Sequence, residues 1–103
     1  MQGRSKLTVR KYKVLIEGRN CLIVLDAEVK RCGFYSTRFI EAGDAHAAEQ
    51  DAIELIIEEL KGILCNDPSS SPLVRVDEIY EVASFGDNLT PGKGFTWYLE
   101  QDN

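Results

Sequence analysis

The sequence predicts an α+β domain: an antiparallel sheet in the order β-β-β-α-β-β, with one long amphipathic helix packed on one face. Three observations carry this. Residues 44–62, DAHAAEQDAIELIIEELKG, repeat apolar side chains at three- and four-residue steps, the period of a helix. The stretches on either side alternate apolar with polar residues or are rich in aromatic and β-branched side chains. Stretches of turn-forming residues separate them at strand-length intervals. The 103 residues read as one domain, with frayed ends at 1–7 and 101–103.

The elements follow in order. Residues 8–16 alternate, with Tyr12, Val14 and Ile16 on one face and Lys11 and Lys13 on the other; Leu15 is the exception. Glu17, Gly18, Arg19 and Asn20 are turn residues, so a hairpin is expected there. Residues 21–25 form a second strand, apolar on both faces and therefore central. Residues 26–31 fit either a continuation of that strand or a wide turn. Residues 33–41, GFYSTRFIE, make a third strand, bulky on both faces.

Asp44 is a good N-cap, because its carboxylate accepts from the unpaired N–H groups of the first turn. Ala45, Ala48, Ala52, Ile53, Ile56, Leu60 and Ile63 share the apolar helix face. Small residues at its start let the helix approach the sheet closely there. Gly62 is the expected stop, with Ile63 folding back onto the last turn. Residues 66–72, NDPSSSP, are the clearest loop and the expected place for disorder or cleavage.

In residues 73–85, Val74, Val76, Tyr80 and Val82 share a face, but so does Glu78. A bulge at Asp77 and Glu78 resolves the conflict by re-phasing the strand. Thr90, Pro91, Gly92 and Lys93 fit a type II turn. Phe95, Trp97 and Leu99 then alternate with Thr96, Tyr98 and Glu100 in the last strand. Val14, Ile16, Phe95 and Trp97 are expected to face the helix.

Composition bounds the functions. Hydrophobic residues are 44% and charged residues 28%, ordinary for a globular protein. No apolar run approaches the ~20 residues that span a bilayer, and the basic N-terminus has no apolar core behind it, so a cytoplasmic protein is expected with no membrane partner. The three cysteines, Cys21, Cys32 and Cys65, show no close pairing, and with one histidine no metal site or cofactor is expected. The net charge of −5 is uneven. Residues 1–19 hold six cations against Glu17 alone, so the remaining residues sum to −10. That asymmetry points to attraction between the ends, within a chain or between protomers. The acidic helix disfavours nucleic acid.

Candidates for chemistry are few. His46 stands in the first helical turn, with no neighbouring Ser or Cys to activate. Glu54 and Glu58 share one helix face and read as solvated. Glu78 is the acid whose strand phase points it inward. Gly92, Lys93 and Gly94 resemble half of a phosphate loop but lack its glycine spacing, the hydroxyl after lysine and the following helix. The best surface is aromatic and basic: Tyr35, Arg38 and Tyr98, with Tyr80, Lys11 and Lys13. On an uncovered sheet face such residues grip a peptide or stack bases.

Residues 12–64 resemble the HicB-type antitoxin module. The resemblance is carried by Tyr12-Lys13-Val14-Leu15-Ile16-Glu17, by Gly43-Asp44-Ala45-His46-Ala47-Ala48-Glu49 at the helix start, and by Ala52-Ile53-Glu54-Leu55. It implies a β-β-β-α-β core that binds a small partner ribonuclease. The Pro-Asp-Leu-Pro-Gly motif of that family is replaced here by Glu28-Val29-Lys30-Arg31-Cys32-Gly33, and no DNA-binding segment follows the last strand.

The first functional expectation is a non-enzymatic protein-interaction domain, as a homodimer or with a protein partner. The alternatives are a nucleic-acid-binding module using Lys11, Lys13 and the tyrosines, and an enzyme working through Glu78 or His46.

Overall fold

A computed structural model describes residues 9–100; the ends expected to fray lie outside the described residues. The elements are β1 (Arg10–Leu25), β2 (Glu28–Ala42), α1 (Ala45–Leu60), β3 (Leu73–Val82) and β4 (Thr96–Leu99). They form an α+β fold: one antiparallel four-stranded sheet in the order β3-β1-β2-β4, with the helix on one face. Strands β2 and β3 are both antiparallel to β1, so they run the same way with β1 between them, and α1 is the crossover that joins them.

The order is therefore β-β-α-β-β, one strand fewer before the helix than expected. The two N-terminal strands expected from the sequence are one continuous strand. Glu17, Gly18, Arg19 and Asn20 do not reverse the chain: the register against β2 shifts between Gly18 and Cys21, so Arg19 and Asn20 together oppose Gly33 as a bulge. Asn20 takes φ 57°, a left-handed conformation asparagine tolerates. Gly18 is required for another reason, because a Cβ there would collide with the Phe34 ring. The reversal comes instead at Asp26 and Ala27, both at positive φ (51° and 67°), a two-residue loop joining Leu25 to its partner Glu28.

Alternation now decides the two faces. On the helix side, Tyr12, Val14, Ile16, Cys21, Phe34 and Ile40 pack with Ala48, Ala52, Ile56 and Leu60 of α1. The two alanines are fully buried, as their close approach to the sheet requires. Phe95 and Trp97 complete this side, with both rings edge-on to Phe34 at 5.0 and 5.4 Å. The expected facing of Val14, Ile16, Phe95 and Trp97 toward the helix holds.

The Asp44 carboxylate caps α1, accepting from the Ala47 N–H at 2.8 Å. The C-terminus departs from expectation. The helix ends at Leu60, with Lys61 in right-handed geometry rather than a glycine cap. Ile63 is exposed, and Leu64 packs on the core in its place. Ala45, placed on the apolar face by its spacing, is also exposed, since the helix begins beyond the sheet's cover.

The bulge in β3 is where the sequence places it: Leu15 pairs with Glu78 and Ile16 with Val76, leaving Asp77 unpaired. Ile79 thereby joins Val74 and Val76 on the helix side, while Glu78 and Tyr80 turn to the other face and are exposed. The loop 66–72 is held by hydrogen bonds rather than loose. The Asn66 side chain accepts from Leu22 N–H (2.9 Å) and donates to the Asn20 carbonyl (2.9 Å), and Asn20 donates to the Ser70 hydroxyl (3.0 Å). Gly92 takes the positive φ that a type II turn needs, and the Thr90–Pro91 peptide is cis.

Candidate interaction surface

Among the described residues no second layer covers the face of the sheet away from α1, although the Phe85 ring meets Phe39 there at 5.6 Å. By strand alternation β1 presents Lys11, Lys13, Leu15, Glu17, Arg19, Leu22 and Val24 there, and β2 presents Val29, Arg31, Tyr35, Thr37, Phe39 and Glu41. Strand β3 adds Leu73, Arg75, Glu78 and Tyr80, and β4 adds Thr96 and Tyr98. Of the sequence-predicted surface residues, Lys11, Lys13, Tyr35, Tyr98 and Tyr80 meet on this one face.

Arg38 does not belong with them. It sits one residue out of phase with Tyr35, Thr37 and Phe39, and so lies on the helix side, with its side chain fully buried. There its guanidinium binds Glu59 of α1 through two parallel bonds of 2.7 and 3.0 Å. It also donates to the Ser36 hydroxyl (3.1 Å) and the Gly94 carbonyl (3.2 Å), and lies 5.4 Å from the Phe95 ring centre. These bonds offset the desolvation of the buried cation, and the contacts with Glu59, Gly94 and Phe95 tie α1 and the 94–95 segment to β2. Arg38 is a structural clasp, unavailable to a ligand.

At the centre of the open face lies Glu17, only 4% exposed. Arg75 of β3 donates to one of its oxygens at 2.9 Å and Arg19 to the other at 3.1 Å. The Arg75 guanidinium, with help from Arg19 and against the burial of the carboxyl, holds Glu17 below the usual carboxylate range. Sequence reading missed this trio, because Glu17 sat in the supposed turn and Arg75 lies 58 positions away.

Beside it, Tyr35 and Tyr98 stack with ring centres 5.4 Å apart and planes 29° apart. Gly33 makes room for this, since a Cβ there would strike the Tyr98 ring. The ring's partial burial pushes the Tyr98 phenol up. Next to Tyr35 a cleft of about 430 Å³ opens between β2 and the segment leading into β4, lined by Thr37, Lys93 and Thr96. On the other flank the Tyr80 hydroxyl donates to Glu78, and Lys13 stands opposite Tyr80 in the register. Lys11 reaches Glu41 at 3.8 Å.

His46, the other acid–base candidate, is exposed on α1, across the sheet from Glu78, so the two share no site. Among the described residues no group of His, Cys, Asp and Glu is placed to hold a metal, and no helix is long and apolar enough to cross a membrane. Comparison with known family models, curated proteins and solved structures finds no match to this chain.

Proposed function

We propose that this protein is a non-enzymatic protein-interaction module whose partner docks on the open face of the sheet. One observation carries the reading. Val24, Val29 and Leu73 (each about 60% exposed), Tyr35 (51%) and Tyr80 (48%) all lie on that face, while α1 seals the other. A monomeric domain has little reason to keep so much apolar and aromatic surface on one side. Tyrosines are suited to such a surface because they supply contact area at little entropic cost. The resemblance of residues 12–64 to the HicB-type module points in the same direction, toward a protein partner.

Charge narrows the partner. The open face carries Lys11, Lys13, Arg19, Arg31 and Arg75 against Glu17, Glu41 and Glu78, a net-basic surface on a chain of net charge −5. Helix α1, on the opposite side, carries Glu49, Asp51, Glu54, Glu58 and Glu59. Two open faces packed together would set like charges against each other, so an acidic partner surface fits better than a symmetric face-to-face homodimer.

The test is capture from native lysate by tagged protein, with and without nuclease. A stoichiometric protein that survives nuclease and is lost with Val29→Asp plus Tyr35→Asp is the expected result. Both positions are exposed, so folding should survive the change. An empty capture, or a partner indifferent to the double variant, would overturn the proposal.

A second reading has its own support. The sheet separates the acidic helix from the aromatic and basic face, so the acids no longer argue strongly against a nucleic acid there. It predicts binding to single-stranded RNA or DNA that weakens steeply with salt and is abolished by Lys11→Glu with Lys13→Glu.

A further inference from the structure

Strand β3 is an edge. In the order β3-β1-β2-β4 one side of it is bonded to β1 and, among the described residues, the other faces no strand. Beside this free edge, helix α1 overhangs a groove. Its first half, about 480 Å³, lies between Ile53 and Glu54 of the helix and Val74 to Val76 of β3. Its second half, about 450 Å³, continues past Ile57, Leu60 and Leu64 to Leu73 and Val74. The two halves adjoin at Val74 and follow successive turns of one flank of α1. From Glu49 to Leu60 the helix flank is roughly 16 Å long, the length of a five-residue extended strand.

We propose that this groove takes an extended segment of a partner protein, added as a fifth strand along Leu73 to Val76. The occupant carries apolar side chains at alternate positions and lysine or arginine near the Glu49 end. Strand addition supplies the affinity through main-chain bonds, and the pockets beside the strand select the side chains. The floor of Ile53, Ile57, Leu60, Leu64, Val74 and Val76 calls for the apolar positions. The basic positions follow from the rim: Glu49 and Glu54 border the first half, while the neighbouring cations are engaged elsewhere, Arg75 with Glu17 and Lys61 with Glu58.

The strand's own chemistry limits the site to this stretch and to this class of occupant. The unpaired Asp77 breaks the flat edge just past Val76. Asp77, Glu78 and Glu81 also make β3 acidic beyond that point, so pairing of β3 with β3 of a second copy would oppose like charges. Leu73 and Arg75 border both this groove and the open face, but the floor of Ile53, Ile57, Leu60 and Leu64 lies on the helix side, so either site can hold if the other fails.

A random heptapeptide library displayed on phage, selected against the intact chain, tests this. Enriched peptides should alternate Val, Ile or Leu with other residues, carry Lys or Arg toward one end and lack Pro. A synthetic peptide of the enriched sequence should shift the amide resonances of residues 73–76. Glu49→Lys with Glu54→Lys, both at the surface, should weaken that peptide at least tenfold and make selection favour acidic peptides. Tyr35→Asp with Val29→Asp should leave it unchanged. Enrichment of no sequence, of Pro-rich sequences, or of peptides whose shifts fall on the open face would overturn the proposal, as would indifference to the charge reversal.

Discussion

At the residue scale the molecule depends on two ion clusters on opposite faces of the sheet, each built on one buried group, Arg38 and Glu17. Arg38 is the more critical, because it is fully buried and its removal leaves a cavity, a Ser36 hydroxyl that keeps only its bond to the Gly94 carbonyl, and a freed Glu59. Arg38→Ala should cost about 3 kcal/mol, at the low end for a broken buried pair because the Glu59 side chain keeps some access to water. Urea denaturation would show it. Glu17 and Glu59 both titrate below the ordinary glutamate value, each chiefly through a hydrogen bond from its arginine. The unfolded chain therefore binds these protons more readily than the folded one. Their contribution to stability is complete above about pH 4.3, and it is lost as pH falls through the lowered values. The urea midpoint should be nearly flat from pH 7 to 5 and drop below about 4. Glu17→Gln and Glu59→Gln should each lower the plateau and flatten the drop. The thiols give a third check. Cys21 and Cys32 face each other across β1 and β2, both buried, and burial pushes Cys21 up to about 11. Only Cys65 is exposed, so a thiol reagent at pH 8 should modify one cysteine quickly in the folded protein and three after unfolding.

At the scale of elements, what the sequence reveals depends on how local its cause is. Helix α1 is legible because its period and its Asp44 cap lie within one turn of the residues they govern. The bulge at Asp77 is legible because Glu78 interrupts an apolar phase within its own strand. The hairpin is not. Gly18 and Asn20 have the composition of a turn, but Gly18 is small to admit Phe34, which is distant in sequence and close only across the ladder. The real turn is Asp26 and Ala27, without the glycine that marks such loops. Arg38 was misplaced for a similar reason. Its strand phase was readable, but the partner that draws it inward lies 21 positions away on α1. Gly18→Ala tests this account of the bulge. It should destabilise by about 1–3 kcal/mol or prevent folding, because a buried ring must move. Gly33→Ala should cost less, since Tyr98 is at the sheet edge, but should unstack Tyr98 from Tyr35 and change the tyrosine fluorescence.

For the whole molecule, the sheet divides two chemistries. One side is a sealed core beneath an acidic helix. The other is uncovered, aromatic and net basic, and five of the six surface residues singled out from sequence stand on it. The division arises from strand alternation together with a crossover helix that can cover only one face. The central claim is that the uncovered face is where a protein partner binds. The most direct measurement is hydroxyl-radical footprinting of the captured complex against the free protein, read residue by residue by mass spectrometry. The account predicts that Val24, Val29, Tyr35 and Tyr80 lose reactivity in the complex while Ile63 and Leu99 keep theirs. Unchanged labelling of Tyr35 and Tyr80, with protection confined to the helix side, would contradict it.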